Sequence, residues 1–201
     1  MIVVIEGNDG SGKSTAAKGL VARLCASGLP AVYYREPGGT PMGEDIRDVL
    51  LASRTETVDP ITEMLLFFAA RRQGIVNFIN HNRDKIIVMD RFVHSSYAYQ
   101  VGGGNAPKEL YIALVKHVLH DMGPVDKAFH ITVSKDVAES RMGDRKVLDR
   151  IEQQDDLYFE RVSLGYKEAI DGSDWDYIWV DGTLLEDQVV DVMFNHIMTS
   201  R

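Results

Sequence analysis

Ile2-Val3-Val4-Ile5-Glu6-Gly7-Asn8-Asp9-Gly10-Ser11-Gly12-Lys13-Ser14-Thr15 is the stretch that decides the fold. Ile2 to Ile5 are apolar and β-branched, the composition of a buried strand. Gly7-x-x-x-x-Gly12-Lys13-Ser14 follows at once, and a helical pattern begins at Lys13. Strand, glycine-rich turn and helix form the setting in which this pattern cradles phosphate. Side chains in the turn would keep the backbone from wrapping an anion. The turn's N–H groups add to the unpaired N–H groups of the helix start. Lys13 supplies a point charge for the β- and γ-phosphates, and the Ser14 hydroxyl suits Mg²⁺, which prefers oxygen. The pattern alone does not choose among kinase, ATPase and GTPase.

Working outward, strands and helices alternate. Residues 13–27 read as a helix with Ala17, Leu20, Val21 and Leu24 inward, stopped by Ser27-Gly28-Leu29-Pro30. Ala31 to Tyr34 is a strand leading into the turn-rich loop Arg35-Glu36-Pro37-Gly38-Gly39-Thr40, and Gly43 to Leu51 is a short helix. Asp59-Pro60 starts a long helix, with Asp as N-cap and Pro first inside, running to about Asn82. Ile86 to Met89 is a buried strand closed by Asp90-Arg91. A polar helix or turn over 94–101, a glycine loop over 102–105 and a helix from Pro107 to His120 follow. Ala128 to Val133 and Tyr177 to Val180 are strands; Lys135 to Met142, Glu152 to Ile170 and Leu184 to Met198 are helices. The reading is an α/β fold of the P-loop NTPase kind, a mostly parallel five-stranded sheet with helices on both faces. With no repeat or linker, residues 1–201 form one domain, with a lid over about 141–152.

The 201 residues suffice for one such core, and 45% apolar with 26% charged residues is ordinary for a globular chain. One cysteine, Cys25, can form no internal disulfide; set among Leu20, Val21 and Leu24, it reads as a packed thiol. The start lacks a basic n-region and no apolar run is long enough to span a bilayer, so neither signal peptide nor membrane span is expected. A net charge of -8 argues against a nucleic-acid-tracking protein. Cations for an anionic ligand must then be concentrated locally.

Ligands of such sheets bind beyond the carboxyl ends of the strands. Four charged features sit there: the P-loop, Arg35-Glu36, Asp90-Arg91 and the Asp181 turn. Asp90 can order Mg²⁺ through its water shell, or simply cap the next segment. Arg91 can grip a phosphate, or pair with Asp90 or Glu36. Phe67 and Arg71 share a helix face, where ring and guanidinium could meet a nucleobase; Phe68 and Arg72 have the same spacing. The segment from Arg141 to Arg150 is basic and hinged at Gly143, a lid or a solvated loop.

Taken together, these residues resemble the thymidylate kinase family over nearly the whole chain. Three motifs carry the resemblance: Ile5 to Thr15, Arg35-Glu-Pro-Gly-Gly-Thr40, and Asp90-Arg-Phe-Val-His-Ser-Ser-Tyr-Ala-Tyr-Gln100. Leu148-Asp-Arg-Ile-Glu152 looks like the end of the family's lid. The resemblance implies phosphoryl transfer from ATP to dTMP, giving dTDP and ADP in dTTP synthesis, with Mg²⁺. ATP would lie on Gly7, Asn8, Asp9, Gly10, Ser11, Gly12, Lys13, Ser14, Thr15 and Arg141, and the metal at Ser14 and Asp90. Asp9 would also touch the acceptor sugar and phosphate, and Arg35 and Arg91 would hold that phosphate beside Glu36. Phe67 would stack on thymine and Arg71 bond its O4 edge, which chooses between the two Phe–Arg pairs. Ser96 and Gln100 would sit near the base, and Tyr99 would crowd the sugar 2′ position. Family members differ in where a helper arginine sits; with Gly10 in the P-loop, it falls to the lid. Arg145 is the choice, with Arg141 in support, although Gly143 and Asp144 stand where similar lids often carry another arginine. Lys13, Arg91 and Arg145 are thus the expected catalytic residues. A cytoplasmic homodimer, with neither nucleic acid nor membrane as partner, is the remaining expectation.

Two other readings were open to the sequence. A deoxynucleoside kinase would phosphorylate a neutral 5′-hydroxyl and need a base, for which Glu36 is placed. A GTP-dependent switch would need an Asn-Lys-x-Asp motif, which the chain lacks.

Overall fold

The computed structural model describes residues 1–143 and 148–199. Five strands form one sheet: β1 (Ile2–Glu6), β2 (Ala31–Arg35), β3 (Ile86–Asp90), β4 (Lys127–Thr132) and β5 (Tyr177–Asp181). Their order is β2-β3-β1-β4-β5 and every pairing is parallel. The helices are α1 (Lys13–Ala26), α2 (Pro41–Leu51), α3 (Pro60–Gly74), α4 (Val93–Ser96), α5 (Lys108–Val118), α6 (Lys135–Gly143), α7 (Asp156–Asp171) and α8 (Glu186–Met198).

Alternation along β1 divides the core. Val3 and Ile5 join Val88, Phe129, Leu20 and Leu24 of α1, and Met193 of α8. Ile2 and Val4 face the other way, onto Met64 and Phe68 of α3, Phe92 and Tyr111 of α5. Both faces of β1 are dry, which is why it reads as an unbroken apolar run. The connection from β1 to β2 crosses β3 on the α1 face; that from β3 to β4 crosses β1 on the opposite face. The chain therefore parts between the carboxyl ends of β1 and β3, where open α/β sheets form their ligand crevice.

Four local expectations need correction. The helix after Thr40 starts at Pro41, not Gly43: the Thr40 hydroxyl accepts from Gly43 N at 3.1 Å, with Pro at the first helical position. The long helix from Pro60 is α-helical only to Gly74 and continues as a π-helical turn, Ile75–Ile79. The helix read from Glu152 begins at Asp156, because Asp155 caps it by accepting from Tyr158 N at 2.7 Å. Gly102 and Gly103 are not loop; they end a π-helical segment, Tyr97–Gly103, packed on α7. A Cβ on Gly103 would stand 2.7 Å from the Tyr158 ring, so these glycines serve close packing.

Cys25 is also corrected. It is exposed, while Leu20 and Leu24 are fully buried. One residue past Leu24, it is turned about 100° away from the core stripe. Among the described residues, no helix is long and apolar enough to cross a membrane.

Candidate active site

A cavity of about 550 Å³ opens at the parting of β1 and β3. Register makes it. Ile5 pairs with Asp90 and Arg35 pairs with Asp90 from the other side, so three strands deliver the P-loop, Asp90-Arg91 and Arg35-Glu36 to one edge.

The P-loop keeps left-handed backbone at Gly10 (φ 78°) and Gly12 (φ 89°). At Gly10 a Cβ would meet the Ala138 carbonyl oxygen of α6 at 2.5 Å, so no side chain fits there without moving backbone. Lys13 donates to Asn8 O at 3.2 Å and lies 3.4 Å from Asp9. Burial lowers its pKa and Arg91 adds to the effect, while Asp9 opposes them. Ser14 lines the main cavity; Thr15, Ser11, Gly12 and Arg141 line a smaller one of about 210 Å³ on the other side of the loop. Arg141 donates to Gly182 O at 2.9 Å and to Gly10 O and Ser11 O at 3.4 Å.

Arg91 has φ 70°, a left-handed backbone that costs a non-glycine residue energy. Its guanidinium meets Asp9 at 2.5 Å, Tyr166 Oη at 2.9 Å, Ser95 Oγ at 3.1 Å and Gly7 O at 3.3 Å. Its partner is thus Asp9, not Asp90 or Glu36. Burial works to raise the Asp9 pKa, but Arg91 and Lys13 hold it well below the usual carboxylate range. Tyr99 Oη donates to the other Asp9 oxygen at 2.7 Å.

Glu6, which no sequence pattern marks, holds the residues that follow Arg91. Its buried carboxylate accepts from Phe92 N at 3.0 Å and Ser95 N at 3.1 Å, and from the Ser95 hydroxyl. With the Ser95 proton spent on Glu6, Tyr166 Oη has one proton to give either to Ser95 Oγ at 2.7 Å or to Gly7 O at 3.2 Å. Arg91 itself donates to Gly7 O and to Tyr166 Oη, so these contacts gather the first P-loop glycine and Arg91 into one cluster. Its members lie up to 159 positions apart, and no local pattern marks them.

Phe67 and Arg71 line the cavity, whereas Phe68 is core and Arg72 pairs with Asp121 at 2.5 Å outside it. Arg71 donates to Glu36 from Nε at 2.8 Å and to Ser96 Oγ at 2.9 Å. Burial raises the Glu36 carboxyl above its ordinary value, with Arg71 opposing. Gln100 Nε2 donates to Glu63 Oε1 at 3.0 Å. Arg35 pairs with Glu44 at 2.5 Å and also lines the cavity. Asp181 instead caps its own turn, accepting from Thr183 N at 2.8 Å. Arg145 lies outside the described residues.

Asp90 accepts from Tyr33 Oη at 2.8 Å, and its other oxygen is buried with no partner among the described residues. Asp90 and Ser14 line the same cavity, and a carboxylate with a hydroxyl is a donor set that suits a hard cation carried by phosphate.

A parallel sheet with this loop at its crossover and a cavity lined by cations and carboxylates over its strand ends is a P-loop NTPase. The chain belongs to the thymidylate kinase family, whose sequence profile, "Thymidylate kinase", matches residues 5–192. It is 37% identical to the thymidylate kinase of Pseudomonas fluorescens (strain Pf0-1), over 90% of this chain and 87% of that one. It is 40% identical to that of Bordetella pertussis (strain Tohama I), over 86% of this chain and 82% of that one. Family and relatives make it a kinase.

Proposed function

We propose that the protein transfers the γ-phosphoryl group of ATP to dTMP, giving dTDP and ADP on the way to dTTP. The observation that carries this is one cavity lined by Lys13, Arg35 and Arg91 and also by Phe67, Arg71 and Gln100. The first set suits phosphates, and the second suits a flat base with a hydrogen-bonding edge. The names of the relatives support thymidylate as the acceptor.

The acceptor phosphate has a second pKa near ~6 by analogy with phosphorylated side chains, so at neutral pH it is largely a nucleophilic dianion. No strong base is needed. The chain must bring two anions together and stabilise charge on the group in flight. Arg91 and Arg35 bind the acceptor phosphate, Asp9 holds Arg91 in place, and Lys13 holds the donor. Asp90 and Ser14 would hold Mg²⁺, which neutralises phosphate charge when bound. Arg141 braces the P-loop carbonyls on the donor side, and Arg145 is assigned to the transferred group. Arg150 is taken up by Glu63 and by Leu50 O at 3.1 Å, which supports Arg145 as the lid cation. Glu36 holds Arg71 by ion pair at 2.6 Å, which supports a base-reading role over that of a general base. We place the enzyme in the cytoplasm as a homodimer.

The test is ADP release from MgATP with dTMP, dUMP, dCMP, dGMP, thymidine or no acceptor. Preference for dTMP is expected. Preference for thymidine would make it a nucleoside kinase, and release without acceptor would leave only the P-loop assignment standing.

A further inference from the structure

Two buried polar atoms of residues that line the cavity lack a partner among the described residues, and they are of opposite kind. Arg71 Nη1 is a donor and Gln100 Oε1 an acceptor. Arg71 is committed elsewhere through Nε and Nη2, to Glu36 and Ser96. Gln100 is committed through Nε2, to Glu63. A donor and an acceptor in one cavity match a pyrimidine with a 4-oxo group and an N3–H. A 4-amino pyrimidine with a bare N3 presents the reverse order.

Arg71 cannot change its polarity, since a guanidinium only donates. Gln100 can, because rotating its amide by half a turn exchanges oxygen for NH₂. What prevents this is Glu63, which is 8% exposed. Its Oε1 faces the amide, and an ionised carboxylate only accepts, so the NH₂ must point at it. Its Oε2 is taken by Arg150, whose Nε donates to Leu50 O at 3.1 Å and whose backbone N donates to Leu51 O at 3.3 Å.

We propose that Glu63, anchored by Arg150, is a positioning residue that fixes the amide polarity of Gln100 and so sets selection of 4-oxo over 4-amino pyrimidine nucleotides. The proposal rests on the acceptor reading above. It gives the family's base pocket a residue that touches no substrate and still decides which base is read.

The decisive variant is Glu63→Gln, nearly isosteric. Its single amide oxygen is claimed by charged Arg150, the stronger bond, and its NH₂ is left facing Gln100. Gln100 must then turn, bringing a second donor to the cavity. We expect the ratio of kcat/KM for dTMP to that for dCMP to fall about tenfold or more, the worth of one such hydrogen bond. The dTMP-to-dUMP ratio should stay as in the wild type, since both bases carry the same edge. Gln100→Leu should lower the dTMP-to-dCMP ratio by itself, and adding Glu63→Gln to it should change the ratio no further. If Glu63→Gln lowers activity on all three nucleotides in parallel, Glu63 is structural and the proposal fails. The same holds if its effect on the ratio persists in the Gln100→Leu background. If the wild type does not prefer dTMP to dCMP at all, the acceptor reading fails instead.

Discussion

Arg91 is made to do two jobs by its surroundings. Its backbone is left-handed, and its guanidinium is shared among Asp9, Tyr99, Ser95, Tyr166 and a P-loop carbonyl. Such over-determination keeps a strained residue in place for a task. Lys13 and Arg145 are the other two charges of the proposed mechanism. Arg145→Ala should lower kcat on the order of 10³-fold in the coupled assay, with a smaller change in KM. Retention of near-normal turnover would remove Arg145 from the mechanism. His94 and His130 set the acid limit of stability. Burial, with help from nearby cations, brings both imidazoles down to about 4. The unfolded chain takes up those protons near ~6.5, so between these values it binds more protons than the folded one. Stability supplied by the neutral rings is full above that upper limit and is lost as pH falls toward the lower one. Urea midpoints should therefore drop from pH 7 to pH 5, and less steeply in a His94→Phe, His130→Phe variant that still folds.

At the level of elements, the informative contact is between the π-helical segment Tyr97–Gly103 and α7. Gly165 has room for no Cβ: it would stand 2.9 Å from Ala98 Cα and 3.1 Å from Ala98 O, backbone atoms on both counts. Gly165→Ala should cost about 1–3 kcal/mol by overpacking. A fall in urea midpoint at unchanged m-value would show it, and loss of turnover should follow because Tyr99 and Gln100 sit on the displaced segment. Helix and strand positions were largely legible in the sequence. Ile2 to Ile5 and Ile86 to Met89 are apolar runs, and Asp59-Pro60 marks a helix start. Thr40-Pro41 carries the equivalent signal, a capping hydroxyl before a proline at the first helical position. The π-helical turn at Ile75–Ile79 left no pattern distinct from ordinary helix. The P-loop and the strand-end arginines were legible because phosphate binding needs particular residues at short spacing. Glu6 and Glu63 were not, since their partners lie 86 and 37 positions away and a buried carboxylate looks like any other until its donors are seen.

For the whole molecule, charge is concentrated at the site rather than reversed there. The chain carries a net charge of -8, and Lys13, Lys18, Arg35, Arg47, Arg71 and Arg91 border one cavity together with Asp9, Glu36, Asp90, Asp149 and Glu152. On α3, Ile61 is 41% and Leu65 is 46% exposed, one turn apart on the same face. We expect these to be covered by a second copy, with sedimentation giving twice the monomer mass and Leu65→Glu returning it to one. A single species of monomer mass in the unaltered protein would refute this. Cys25 offers something of a different order. As the chain's one thiol, and exposed, it will take a fluorophore at a single place without any native residue being removed. It rides near the far end of α1, about 18 Å along the same helix from Lys13. A second thiol at exposed Lys135, where α6 begins, would complete a donor–acceptor dye pair. Energy transfer across that pair would report, in real time and in solution, any movement of α6 against α1.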